Sequence, residues 1–258
     1  MKTITFWTDH FHMSEANQHI NNQIPNHVSS NLAGLDQYIK SFGPLPRGST
    51  YLGTCNDGLP LLFDLEDPTP GSLLLIGDDE SSAIRFLNNI LVSSVLLNSP
   101  SHIRCSVISP NIGYFSDISQ SGHLDYLLSS YESAAHKHVV ELAILAEQRR
   151  SGRHTGAIQL LIINSLSEIL KYDDFETANH LGWLASNGPS NSIWLVASLD
   201  RTKLDLIDRK IINCFGTYIF SNLNVDHPRL LNHGGSYLDG FTTKIGSETV
   251  NFHLPLFE

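Results

Sequence analysis

The chain has 258 residues, 41% of them hydrophobic and 16% charged, and it carries 16 Lys and Arg against 26 Asp and Glu, a formal net charge of −10. That apolar share can fill one sizeable core and, with no low-complexity tract present, excludes an intrinsically disordered chain. The acid excess excludes a general electrostatic hold on nucleic acid or anionic lipid, which needs a surplus of Lys and Arg on at least one face.

Residues 1–48 read as a polar, partly irregular extension. Thr3 to Thr8 alternates as an edge strand would, and His10 and His12 fall on one side of it. Leu32 to Phe42 is expected to form one helix, stopped by Gly43-Pro44. From residue 49 to 258 the pattern becomes regular. Short apolar runs, Ser72–Ile76, Ile103–Ile108, Ile158–Ile163, Ile193–Ala197 and Thr217–Phe220, alternate with longer amphipathic stretches. Uninterrupted apolar runs of that length are strands covered on both faces, as in a parallel sheet. The stretches between them predict helices at Ser81–Leu97, Glu132–Arg150, Glu176–Asn187 and Lys203–Cys214. In the second of these Ala135, Val139, Leu142 and Ala146 share one stripe. Phe241–Ile245 and Thr249–Leu254, around Gly246-Ser247, read as a hairpin. The expectation is an α/β domain: a mostly parallel sheet with helices on both faces and a C-terminal β-hairpin.

Cys55, Cys105 and Cys214 stand far apart with no CxxC, so neither a disulfide framework nor a zinc ribbon is indicated, and a reducing compartment fits. The start, MKTITFWTDHFHM, is too polar for a signal peptide, and no stretch of about 18 apolar residues occurs. A cytoplasmic protein with no membrane partner is expected. Arg149, Arg150, Arg153 and His154 form the one basic cluster, expected at a solvated helix end. His136, His138 and Glu141 are expected on a solvated helix surface, because the two imidazoles fall on different faces. Asp173 and Asp174 are expected to cap the next helix.

In an open parallel sheet, ligands bind at the carboxyl ends of strands, where helix N-termini present free N–H groups. The first such junction begins at Pro70, PGSLLLIGDDESSAIRFLNNIL. A phosphate loop there would need small residues, a Lys for the terminal phosphates and a Ser or Thr hydroxyl for Mg²⁺. Counting from Gly77 in the GxxxxGK[ST] frame, the second Gly falls on Ser82, the Lys on Ala83 and the hydroxyl on Ile84.

The stretch from Leu52 to Pro110 resembles the motor domain of the FtsK/SpoIIIE family, a RecA-like fold, with Gly53, Gly58, Pro60, Asp64-Leu65, Gly77 and Pro110 in the order of that family's motifs. HVVELAILAEQRR, from His138, is similar to its E-x-x-R helix. LLIINSLSEIL, from Leu160, is similar to its Walker B strand, and the segment from Ser192 to its sensor strand. About 200 residues are covered, by pattern and order more than by identity. The resemblance implies that the Walker B Asp aligns with Asn164, the water-orienting Glu with Ser165, the sensor Gln with Leu199, and a further Arg with Pro189.

Every functional position that can be placed is thus replaced, while Asp78, Asp79 and Glu80 stand where a triphosphate would be wrapped. Those acids read three ways: as a helix cap that replaces the anion internally, as a vestigial ligand site, or as a divalent metal site. The resemblance then implies no catalytic residue, no cofactor and no metal, with a vestigial nucleotide site over Gly77, Asp78, Asp79, Glu80, Ser81, Ser82, Ala83, Ile84, Asn164 and Ser165. The function expected is that of a pseudo-ATPase scaffold or accessory subunit, with a protein partner such as an active FtsK-like motor or a second copy, and no nucleic acid bound on its own. The alternative is a divergent ATP- and Mg-binding DNA translocase subunit whose missing cation comes from Arg85 or a neighbouring subunit.

Overall fold

The computed structural model describes residues 30–171, 175–221 and 240–255. The expected N-terminal edge strand, His10, His12, Asp173 and Asp174 lie outside them. The strands are β1 (Ser49–Cys55), β2 (Pro60–Asp64), β3 (Leu73–Gly77), β4 (Ile103–Ser109), β5 (Leu124–Ser129), β6 (Ile158–Ile163), β7 (Ile193–Asp200), β8 (Thr217–Ser221), β9 (Gly240–Ile245) and β10 (Glu248–His253). The helices are α1 (Ser30–Ser41), α2 (Glu80–Leu97), α3 (Ser133–Arg150), α4 (Leu166–Ile169), α5 (Phe175–Asn187) and α6 (Arg209–Ile212). All described strands join one sheet in the order β2-β1-β10-β9-β8-β3-β7-β6-β4-β5. From β8 to β5 the pairing is parallel, and from β8 outward through β9, β10, β1 and β2 it is antiparallel.

The continuous apolar runs are explained by two cores, one on each face, because successive strand residues point to opposite sides. Leu73, Leu75, Leu160, Ile162, Trp194 and Val196 meet Phe86, Leu87, Ile90 and Leu91 of α2. Their neighbours Leu74, Ile76, Leu161, Ile163, Leu195 and Ala197 meet the Ala135–Val139–Leu142–Ala146 stripe of α3 and Leu181 and Leu184 of α5. A third, smaller cluster places Leu35 and Ile39 of α1 against Tyr51 and Leu62. Gly43, at φ +88°, ends α1 where the sequence placed its stop. Gly246, at φ +60°, turns the β9–β10 hairpin.

One predicted element fails, and one strand is unforeseen. The single helix over Lys203–Cys214 is instead a 3₁₀ turn at Arg201–Leu206 followed by α6. The Asp208 carboxylate accepts from the Lys210 N–H and starts a new helix where the old one would have continued. Strand β5 was not anticipated: LDYLLS lies at the sheet edge, half-exposed, and lacks the apolar continuity of a covered strand. Among the described residues no helix is long and apolar enough to cross a membrane.

Candidate functional site

At the carboxyl ends of β3, β6 and β7 a cleft of about 270 Å³ is lined by Gly77, Asp78, Asp79, Glu80, Ala83, Asn164 and Ser165, together with Pro110, Tyr131, Glu168, Ser198, Leu199, Asp200 and Lys203. Seven of the ten residues picked from the sequence thus meet in one place. Ser81, Ser82 and Ile84 do not line it; they belong to the first turns of α2.

The turn from β3 into α2 consists of Asp78 and Asp79 alone, and the helix is already under way at Glu80. The positions that a phosphate loop would give to its second Gly, its Lys and its hydroxyl, Ser82, Ala83 and Ile84, therefore lie inside the helix. Asp79 is the N-cap. Its carboxylate accepts from the backbone N–H of Ser81 at 3.3 Å and of Ser82 at 2.8 Å, and from the Ser81 hydroxyl at 2.6 Å. Chiefly through the Ser81 hydroxyl, its pKa falls to about 2. A Cβ on Gly77 would stand 2.8 Å from the Cβ of Ser221, so this glycine is needed for the approach of β8.

Across the cleft, Asp78 receives a two-pronged ion pair from Arg201, with Nε at 2.8 Å from Oδ1 and the terminal nitrogen on Oδ2. Lys203 donates to Glu168 at 2.9 Å, and Tyr131 donates its hydroxyl to the same carboxylate at 3.3 Å. Lys203, more than the nearby Lys171, holds the Glu168 pKa below the usual carboxylate range, and Glu168 in turn raises that of Lys203.

The floor is neutral. Asn164, buried at the end of β6, donates to the Ser109 hydroxyl at 3.2 Å and accepts from the Ser198 hydroxyl at 3.1 Å. Ser198 also accepts from the Ser165 N–H at 2.9 Å. This chain of bonds joins β4, β6 and β7 and satisfies a buried amide that would otherwise be costly. Ser165 adopts a left-handed conformation, φ +67°, at the step into α4. Leu199 is buried and lines the same cleft, whereas Pro189 lies before the start of β7, at the opposite ends of the strands.

Arg201, Lys203, Glu168, Tyr131 and Ser198 were not picked out from the sequence. The only cue was Arg-x-Lys directly after an apolar strand. Arg85, exposed on α2, does not line the cleft.

The other expectations divide. His136, half-buried, bonds the Thr177 hydroxyl at 3.0 Å. His138 is not on a solvated surface: it is buried against Tyr126, ring centroids 4.4 Å apart, and burial lowers its pKa. Strand β5, unseen in the sequence, is what covers it. Arg149 likewise turns inward, donating to the carbonyls of Ala157, Ser192 and Asn191 at 2.7, 2.9 and 3.2 Å, so it clamps the starts of β6 and β7. Arg150 and Arg153 remain exposed. Among the described residues no group of three or more His, Cys, Asp or Glu is placed to hold a metal ion.

No family model matches the sequence, and no curated protein matches it. Solved structures do. ATPases 2 and 3 of Thermomonospora curvata EccC, in complex with a signal sequence peptide, superpose with a TM-score of 0.63 at 18% identity over 82% of this chain and 41% of that one. ATPases 2 and 3 of EssC from Geobacillus thermodenitrificans give 0.63 at 14% identity, over 84% of this chain and 46% of theirs. The conjugation coupling protein TcpA, a monomer with ATPγS, gives 0.61 at 16% identity, over 84% and 68%. The chain spans less than half the length of the first two. Its mostly parallel sheet, with helices on both faces, is the fold of these secretion and conjugation ATPase domains, as the FtsK/SpoIIIE-like motifs lead one to expect.

Proposed function

We propose that the chain is a catalytically inactive FtsK-like domain, a pseudo-ATPase that serves as a protein-binding scaffold or accessory subunit in a motor, secretion or DNA-transfer assembly. The observation that carries this reading is the state of the α2 N-terminus. The N–H groups of Ser81 and Ser82, which a bound phosphate would need, are taken by the Asp79 carboxylate. Phosphoryl transfer requires cations around the phosphoryl oxygens, and Arg201, Lys203 and Lys171, described in this region, are each paired with a carboxylate, Asp78 for the first and Glu168 for the other two.

The energetics point the same way. Two unit charges about 5 Å apart at an effective dielectric of about 20 interact by roughly 3 kcal/mol. A helix N-terminus attracts an anion by up to about 2 kcal/mol, and here Asp79 already uses it. A triphosphate would therefore meet the carboxylates of Asp79 and Glu80 with no cation to offset them. The neutral Asn164 cannot stand in for a Mg²⁺-directing carboxylate.

A second reading, residual nucleotide binding by a DNA-translocating subunit, is favoured by one feature, the presence of Lys203 in the cleft. It requires Lys203 to leave Glu168. Phosphate release from Mg-ATP, measured with and without duplex DNA, separates the two. Release at the level of the protein-free blank is expected; turnover abolished by Lys203→Ala would overturn the inactive reading.

A further inference from the structure

The basic cluster at the end of α3 has one member that neither the cleft nor the core employs. Arg149 clamps the starts of β6 and β7, and Arg150 donates to Glu147 at 2.8 Å. Arg153 has no carboxylate bonded to it among the described residues; its Nε donates to the Ser151 hydroxyl at 2.7 Å. The backbone that carries it is fixed. Gly152 takes φ +70° and ends the helix, with its N–H on the Arg149 carbonyl at 2.9 Å and the Arg153 N–H on the Gln148 carbonyl at 2.9 Å. That pair of bonds is the glycine cap common at helix C-termini, and it holds Arg153 beside the last turns of α3.

Between α3 and α5, at this end of α3, runs a groove of about 440 Å³. Ala143, Ile144, Glu147 and Gln148 line it from α3, His180 and Trp183 from α5, and Arg153 completes it. Its wall is chiefly apolar: Ile144 is 52% exposed, and the indole of Trp183 is only partly covered. Glu147 is the one acid among the lining residues. Arg150 foremost, by its hydrogen bond, and then Arg153 hold its pKa below the usual carboxylate range. Two guanidinium groups thus serve one carboxylate, and the local balance is positive in a chain whose net charge is −10. The groove stands apart from the cleft, because α3 ends where β6 and β7 begin and the cleft lies where they finish.

An apolar wall with one spare cation is complementary to an apolar body with one negative charge. Size decides between a small molecule and a polypeptide. The volume falls within the range of small-molecule sites, roughly 300–1,000 Å³, whereas a protein partner engages about 20–30 residues a side and seven line this groove. We propose that the α3–α5 groove binds a small carboxylate with an aromatic or branched apolar body, which lies against Ile144 and Trp183 while its carboxylate meets the Arg153 guanidinium. A guanidinium can take both oxygens of a carboxylate in a planar, two-pronged pairing. The site goes beyond the scaffold reading and does not depend on it, since neither Arg153 nor Trp183 lines the cleft.

Isothermal titration calorimetry of the full chain with 2-naphthoate tests the site, beside 2-naphthamide, which keeps the rings without the charge, and acetate, which keeps the charge without the rings. Saturable binding of 2-naphthoate alone is expected, weaker as salt is added. Arg153→Gln and Ile144→Glu should each weaken it by about 10-fold or more, whereas Lys137→Gln, in the first turns of α3, should leave it unchanged. All three side chains are exposed, and unaltered melting curves confirm folding. No saturable heat up to about 1 mM 2-naphthoate, equal binding of the amide, or an affinity indifferent to Arg153→Gln overturns the proposal. A 12-residue peptide of alternating Leu and Glu that binds more tightly than 2-naphthoate, and loses that affinity in Arg153→Gln, overturns the small-molecule assignment. Turnover of Mg-ATP would instead count against the inactive cleft and leave the carboxylate result standing.

Discussion

Asp79 fills the helix end that a phosphate would occupy, so its removal has a defined cost. Asp79→Ala should destabilise the fold by about 1 kcal/mol, the usual worth of an N-cap, and lower the melting temperature by about 2–4 °C at pH 7. Because the folded-state pKa of Asp79 is depressed to about 2, its contribution is complete above about pH 4 and is lost as the pH falls towards 2. The gap between wild type and Asp79→Ala, read from melting curves, should close over that interval. His138 has a depressed pKa of the opposite charge type. It is buried neutral, so stability is complete above about pH 6.5 and declines as acid protonates the imidazole in the unfolded chain first. Urea midpoints at pH 7, 6 and 5 should fall less steeply in His138→Leu than in wild type. The Asp79 cap was legible in the sequence because capping is local. The partners of Asp78 and Glu168 were not: Arg201 and Lys203 lie 123 and 35 residues further along the chain, and only the sheet order brings them back.

Among the elements, β7 shows how the parallel half of the sheet is tied to the antiparallel half. Trp194 is fully buried, meets Phe63 of β2 edge to face at a centroid distance of 5.1 Å, and donates its indole N–H to the Leu65 carbonyl at 2.8 Å. Trp194→Phe keeps an aromatic ring but loses the pyrrole half of the indole and strands that carbonyl, at a cost of about 1–3 kcal/mol, whereas Trp194→Ala opens a larger cavity costing about 3–5 kcal/mol. Urea unfolding followed by far-UV circular dichroism should rank the two in that order; equal losses would mean that the hydrogen bond dominates. Covered strands and long amphipathic helices were readable, since their apolar pattern is set by burial on known faces. The half-exposed strand β5 and the split of the 203–214 segment were not. Edge position in one case and competing Asp caps in the other outweigh the local apolar pattern.

For the molecule as a whole, the order of motifs from Gly53 to the β9–β10 hairpin was enough to indicate the sheet and its flanking layers. The fold follows from which residues are apolar and where the chain turns. The site depends on which charges face each other, and those pairings cross the sheet. The same separation explains how a fold shared with secretion and conjugation ATPase domains persists here with Asp79 on the helix N-terminus and Asn164 on the floor. Melting the full chain in millimolar Mg-ATP tests most directly the proposal that the cleft holds no nucleotide. A ligand at about 100 times its Kd would add roughly 2.7 kcal/mol, some 5–10 °C for a domain of this size. No shift beyond that given by Mg²⁺ alone is expected. A saturable rise of several degrees would contradict it.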